Sequence, residues 1–293
     1  MRNAKLGVHN LVFTDQWTEA NAQDATAKAA EIGFDLFEVL IFDPADLDTK
    51  MTGRVVADAG LELRLGMALG ADADISSPDA AVARRGEETV ERCLRIASDL
   101  GAPAVSGIVY AAFNNYGAGP TQAQWDSVRE ALARLDRRAG ELGVKLGLEA
   151  VNRYESYLVN TLDQAGDMIR QIGASNLFVH MDTFHMNIEE SDIAAAIGRN
   201  ADLLGYAHLA DNTRGLLGAG TYDFKTYFRA LAACGYGGEF TVESFSPAAL
   251  SADLAAAVSI WRAPWDRPEH AARQALEFMR AEIAAATSAV QVW

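Results

Sequence analysis

The chain is 293 residues long, 50% hydrophobic, and carries 40 acidic against 25 basic residues, a formal net charge of −15. Its length suits a (β/α)8 barrel, and its apolar half suffices for a large core. The acidic balance excludes the basic face that nucleic acid or an anionic membrane surface demands. Only two cysteines occur, Cys93 in ERCLRIA and Cys234 in ALAACGY. Isolated cysteines in so long a chain fit a reducing cytosol and not a disulfide scaffold. MRNAKLGVHNLVF runs straight into a strand pattern, without the h-region and small-residue cleavage site of a signal peptide. No apolar run reaches membrane-spanning length. A cytoplasmic protein with no nucleic-acid or membrane partner is expected.

LGVHNLVF, residues 6–13, opens as a strand. After it a repeated punctuation organises the chain: a helical pattern ends at Gly and a short apolar strand follows. The junctions are EIGFDLFEVLIF at Gly33, DAGLELRLGMAL at Gly60, DLGAPAVSGIVY at Gly101, ELGVKLGLEAV at Gly143 and QIGASNLFVHMD at Gly173. RNADLLGYAHL then uses Asn200, and ACGYGGEFTVESF uses Gly235. Gly and Asn tolerate the left-handed backbone just past a helix end, so all seven junction residues are expected to adopt it. Seven junctions and the opening strand make eight strands. Their apolar runs lack alternation, as in strands buried on both faces of a parallel sheet. Stretches such as TQAQWDSVREALARLDRRAGEL and TLDQAGDMIRQI supply helices between them. Eight strands alternating with helices favour a closed barrel over an open doubly wound sheet, and no GxGxxG or P-loop follows the first strand. No low-complexity linker divides the chain, so one domain over 1–293 is expected. After Glu243, a short helix over 251–259 and a longer one in IWRAPWDRPEHAARQALEFMRAEIAAA form a C-terminal extension. Trp261 and Trp265 there read as packing of the last helix across the barrel, with a subunit contact as the alternative.

Four metal-ligand-type side chains end four successive strand runs: Glu149 in KLGLE, Asp182 in LFVHMD, His208 in LLGYAH and Glu243 in EFTVE. Their spacings of 33, 26 and 35 residues are each about one strand–helix unit. In a parallel barrel the C-terminal strand ends share one rim, where side chains from neighbouring strands converge. One strand-end Glu is often only the first solvated loop residue, and one His is often a core residue. Four in phase with the repeat point to a cation site. Three carboxylates and an imidazole suit Mn2+, Mg2+ or Co2+ better than a thiolate-selected metal. In the rim loops, Asn152, Arg153 and Glu155 follow Glu149, His185 and Asn187 follow Asp182, and Arg214 follows His208. Polyhydroxy ligands need paired donors and acceptors of this kind. Asn152 and Arg153 also fit ordinary loop structure, whereas Glu155, His185 and Arg214 each follow a ligand closely.

The motifs LEAVNRYESYLVNT, MDTFHMNIEE, HLADNTRGLLGAGTYDF and TVESF resemble the ketose 3-epimerase family, which acts on D-tagatose, D-allulose (psicose) and L-ribulose, within the xylose isomerase-like barrels. The likeness is strong over the second half and weaker, through GFDLFE and LGAP, over the first. It implies a divalent metal, commonly Mn2+, held by Glu149, Asp182, His208 and Glu243. It implies that Glu155, His185 and Arg214 hold the O1 to O3 end of the sugar. It also implies a homodimer or homotetramer. His9 and Phe113 fall where the family lines its pocket with residues that are often aromatic. His9 departs from that pattern, and with Glu38 and Phe113 it bears on sugar preference.

Epimerisation at C3 removes a proton next to the C2 carbonyl and returns one on the opposite face. Glu149 and Glu243 suit the two acid/base roles, one abstracting and the other donating. Asp182 and His208 then serve as ligands alone. Rival readings are a hydroxypyruvate or aldose–ketose isomerase or an inosose-type dehydratase, whose ligands are similar. A phosphorylated substrate is disfavoured, because the Gly-rich GLLGAGTYDF resembles the epimerase loop and not a phosphate site. An endonuclease needs more His ligands and a basic face. A non-catalytic sugar-binding barrel predicts a lost ligand, and all four positions are filled.

Overall fold

The computed structural model describes residues 1 and 4–290; Arg2, Asn3 and residues 291–293 lie outside it. Strands and helices alternate along the chain as β1 (Leu6–His9), α1 (Glu19–Ile32), β2 (Leu36–Ile41), α2 (Thr49–Asp58), β3 (Glu62–Leu69), α3 (Ala80–Leu100), β4 (Ala104–Ala112), α4 (Gln122–Leu142), β5 (Lys145–Glu149) and α5 (Leu162–Ile172). There follow β6 (Leu177–Asp182), α6 (Thr183–Glu189), α7 (Ile193–Arg199), β7 (Leu204–Leu209), α8 (Phe224–Ala233), β8 (Glu239–Val242), α9 (Ala252–Ala257) and α10 (Pro268–Val290). Each strand pairs in parallel with the next, and β8 returns to β1, so the expected eight-stranded barrel closes.

Strand residues alternate between two environments, because successive side chains point to opposite faces. Val8, Phe37, Val39, Leu65, Met67, Val105, Leu146, Leu148, Val179, Met181, Ala207, Leu209, Phe240 and Val242 pack outward into one continuous apolar core with the helices. The positions between them face inward and are mostly polar or glycine: Glu38, Arg64, Gly66, Ser106, Gly147, Glu149, His180, Asp182, Tyr206, His208 and Thr241. The glycines make room for large neighbours. A Cβ on Gly147 would stand 2.5 Å from the Phe178 ring, and one on Gly66 would stand 2.7 Å from Glu38 Oε1.

Six junction glycines adopt the expected left-handed backbone, with φ of 100° at Gly33, 72° at Gly60, 69° at Gly101, 68° at Gly143, 67° at Gly173 and 73° at Gly235. Asn200 does not: its φ is −113°. Its amide instead spans two elements, Nδ2 donating to Asp163 and the Ala196 carbonyl while Oδ1 accepts from Arg170. Side-chain bonding, not backbone tolerance, accounts for Asn at that junction. Helix starts are capped by side chains, including reciprocal pairs at Thr121/Gln124 and Thr161/Gln164, each cap contributing about 1 kcal/mol.

The C-terminal extension is present, and the two tryptophans part company. Trp265 is buried, and its indole Nε1 donates to Ser244 Oγ at 2.8 Å. Trp261, in the turn between α9 and α10, is 77% exposed. The packing reading holds for Trp265 and fails for Trp261. Among the described residues no helix is long and apolar enough to cross a membrane.

Candidate active site

Glu149 ends β5, Asp182 ends β6, His208 is the penultimate residue of β7, and Glu243 directly follows β8. All four point into the barrel at its C-terminal mouth, and Asp182 and His208 are register partners. One donor atom each from Asp182, His208 and Glu243 lie within 4.8 Å of one another; Glu149 completes a second such group with Asp182 and His185. His208 Nδ1 stands between the two glutamates, 4.0 Å from Glu149 Oε1 and 3.8 Å from Glu243 Oε1.

The state of His208 follows from its other nitrogen. Nε2 lies 2.7 Å from Glu38 Oε2, a carboxylate that can only accept. Tyr206 donates its hydroxyl to the same oxygen at 2.6 Å and meets Thr241 Oγ1 at 2.5 Å. Burial raises the Glu38 carboxyl, but the imidazoles of His208 and His9 outweigh that and draw it down to about 2. Glu38 is therefore an anion that keeps a proton on Nε2; burial lowers His208, but Glu38 and Glu243 beside it raise it to about 10, so Nδ1 holds a proton that a cation would displace. Nδ1 is then directed at the mouth, and it is buried without a hydrogen-bond partner. A carboxylate–histidine pair of this kind orients a metal-binding imidazole. The orphaned Nδ1 and the oxygen donors around it fit a hard to borderline divalent cation, so the residues present suit the expected metal.

Arg214 enters the same cluster. Its Nη1 donates to Asp182 Oδ2 at 3.1 Å and to Glu243 Oε2. The guanidinium carbon lies 4.0 Å above the Phe184 ring and 4.8 Å from Phe245. The backbone there is left-handed, φ 56°, a conformation costing about 1–3 kcal/mol in a residue other than Gly. The strain is held by bonds to the Arg214 carbonyl from Phe245 N and Ser244 Oγ, and by Asp211, which accepts from the amides of Gly218 and Gly220. Burial, with Asp182 and Glu243 beside it, raises the Glu149 carboxyl well above the usual carboxylate range, opposed by His208.

His185 is oriented by Asn152, whose backbone N–H donates to Nδ1 at 3.1 Å. Nδ1 must therefore accept, and Nε2 carries the proton toward the mouth, 3.6 Å from Asp182 Oδ2 and 3.7 Å from Glu149 Oε1. Burial pushes the His185 pKa down to about 3, so the ring is neutral. His9 shows the same logic: Leu11 N donates to its Nδ1 at 3.2 Å, and burial lowers its pKa to about 4. Its Nε2 lies 3.9 Å from Glu243 Oε1. Glu155 accepts from Asn152 Nδ2 at 2.9 Å.

These groups line one end of a cavity of about 370 Å3. Phe113, Leu11, Leu40, Leu69, Phe245 and Leu254 form its apolar walls, and Arg214 is its one arginine or lysine among the described residues. His9, Phe113, Glu155, His185 and Arg214 thus all border the cavity that Glu149, His208 and Glu243 border. Arg153 turns away and pairs with Glu189 at 2.8 and 2.9 Å, and Asn187 is exposed on α6. Sequence reasoning undervalued Asn152, which orients His185 and Glu155, and gave Glu38 no partner. A charged residue inside the apolar run LFEVLI was the available signal for Glu38. Phe184 and Phe245 lie within the motifs MDTFHMNIEE and TVESF, but nothing local in them signals stacking on Arg214.

Residues 26–282 match the family model of the xylose isomerase-like TIM barrel. An L-ribulose 3-epimerase of Mesorhizobium japonicum is 40% identical over 262 residues, 89% of this chain and 88% of that protein. A ketose 3-epimerase of Arthrobacter globiformis is 37% identical over 281 residues, 96% of this chain and 97% of that one. A solved L-ribulose 3-epimerase superposes with a TM-score of 0.95 at 38% identity, covering 99% of this chain and 97% of its own. The chain belongs to the ketose 3-epimerase family of the xylose isomerase-like TIM barrels, a family of carbohydrate isomerases.

Proposed function

We infer that this protein epimerises free ketoses at C3, with D-tagatose, D-fructose/D-allulose and L-ribulose as the substrate class. The observation carrying this reading is the pair of carboxylates, Glu149 at the end of β5 and Glu243 just after β8, that flank His208 Nδ1 at 4.0 and 3.8 Å. A divalent cation, Mn2+ or alternatively Co2+ or Mg2+, is held by Glu149, Asp182, His208 and Glu243. When bound it supplies Lewis-acid stabilisation of the negative charge that develops on the sugar oxygens.

The protein's own residues do the rest. One glutamate takes the C3 proton, and the resulting enediolate is reprotonated from the other face by the second glutamate as a carboxylic acid; the roles exchange in reverse. The raised Glu149 carboxyl favours its holding a proton. Arg214 and the Nε2–H of His185 present donors to the sugar hydroxyls, and Glu155 presents an acceptor. Asp182 and His208 serve as ligands and transfer no proton to or from the sugar. The apolar outer wall, with Phe113, takes the far end of the sugar. The one arginine or lysine in the lining, Arg214, is already engaged by Asp182 and Glu243, which supports an unphosphorylated substrate. A cytoplasmic homodimer or homotetramer of one barrel domain per chain completes the reading.

A substrate panel of D-fructose, D-tagatose and L-ribulose with added Mn2+, followed by chromatography, tests it. The C3 epimer of at least one ketose is expected, and formation of an aldose or a dehydrated product would overturn it. Chelator-treated enzyme, with metal loss verified by elemental analysis, is expected to be inactive and to recover with Mn2+ or Co2+.

A further inference from the structure

His180 takes no part in this scheme, yet it sits directly beneath it. It lies on β6 two residues before Asp182, so its side chain points the same way one layer deeper in the barrel. It is the register partner of Glu149 on β5. The ring is fully buried, and neither nitrogen has a hydrogen-bond partner. Leaving a buried polar atom unsatisfied is costly, and here two such atoms share one side chain. Nδ1 lies 3.9 Å from Glu149 Oε2, and the ring meets His208 edge-on with centroids 4.3 Å apart. One donor atom each from Glu149, His180 and His208 fall within 4.8 Å of one another.

Two donor sets therefore share the barrel. The upper one, Asp182, His208 and Glu243, offers two oxygens and a nitrogen. The lower one, Glu149, His180 and His208, offers one oxygen and two nitrogens. Glu149, also a mouth ligand in the reading above, and His208 are wanted by both, and His208 has one nitrogen to give, because Glu38 holds its Nε2. The sets exclude each other. Nitrogen-rich sites suit Zn2+, Ni2+ and Cu2+, whereas oxygen-rich sites suit Mn2+ and Mg2+.

We propose that Glu149, His180 and His208 form a second, deeper seat for a borderline divalent cation, in competition with the oxygen-rich seat at the mouth. This rests on the cation-binding reading of the mouth. An ion in the deeper seat takes the free nitrogen of His208 and so empties the mouth seat that the proposed chemistry needs filled, so such metals inhibit.

Pulsed EPR of the full-length protein loaded with one equivalent of Cu2+, without sugar, counts the coordinated imidazoles. Two are expected in the native protein and one in His180→Gln. One imidazole in the native protein, as when a water bridges His180 and Glu149, overturns the proposal; so does a count of two that survives in His180→Gln. Where His180→Gln fails to fold, His185→Gln decides: a count of two that persists there supports the deeper seat, and a fall to one assigns the second imidazole to His185 and overturns it. Zn2+ binding is expected to weaken about tenfold or more in His180→Gln, with Mn2+ affinity held within about twofold. Failure of Mn2+ to bind the native protein would instead refute the mouth site and leave the Cu2+ count to judge the deeper one.

Discussion

The two ends of the barrel each bury an arginine among carboxylates, and they do so with opposite results. At the N-terminal floor, Arg64 spends every nitrogen: on Glu239 through Nε at 2.5 Å and Nη2, on Glu62 at 3.0 Å, and on the Leu63 carbonyl at 2.8 Å. Lys5 then pairs with the free oxygen of Glu62 at 2.5 Å. Charge and hydrogen bonding close on themselves there. At the mouth, Arg214 faces Asp182 and Glu243 while Glu149, Glu155 and Glu38 crowd the same space, and His208 Nδ1 is left without a partner. Acceptors exceed donors, and the backbone of Arg214 is strained. A satisfied ion network stabilises a fold; a deliberately unbalanced one is poised to take up a cation and substrate.

The largest expected break in this contrast is Glu243→Gln. Removing one of two proton carriers should lower kcat by about 10^3-fold, in line with the 10^2–10^4 range for general acid–base groups, while substrate binding persists. Near-normal turnover in steady-state assays would sink the two-carboxylate scheme.

Acid should strike the mouth next. His9 stays neutral in the fold down to about pH 4, whereas in the unfolded chain it protonates near 6.5. Between those values the unfolded state binds more protons, so stability rises with pH and is lost as pH falls from 6.5 to 4. The shift corresponds to about 3 kcal/mol. Denaturant titrations of His9→Phe across that range should show a flatter acid limb than the native protein; parallel limbs would contradict the burial argument.

Arg64→Met tests the floor. Stranding the partly exposed Glu239 should cost about 2 kcal/mol, discounted from the buried-pair range for solvent access. The variant's kcat should match the native value, and a selective loss of kcat would erase the division of labour between the two ends. Smaller again is Glu38→Gln, which weakens the hold on the His208 tautomer. Mn2+ affinity should fall about tenfold, the low end for second-layer partners of a metal-binding His, as read by isothermal titration.

How far each end could be read from sequence differs for a physical reason. The helix–Gly–strand punctuation gave away eight strands because a left-handed helix exit is a local demand that Gly alone meets cheaply, as at Gly101 and Gly143. Asn200 shows the limit: its side chain answers to Asp163 and Arg170, residues on another helix, and no local rule reports that. The mouth residues were legible because parallel strands must end on one rim, so spacing in phase with the repeat converts into convergence in space.

By itself, the amino-acid order determined the barrel, the four strand-end ligand candidates and the loop residues Glu155, His185 and Arg214, since these follow from periodicity and from which residue types terminate each strand. Tertiary structure alone decided which groups meet. Glu38 reaches His208 across 170 positions of chain, Asn152 sets the His185 tautomer, aromatic rings clamp Arg214, and His180 lies unpartnered under Glu149. Such pairings depend on how strands stagger around the closed barrel, and that stagger is a property of the whole sheet and not of any one segment.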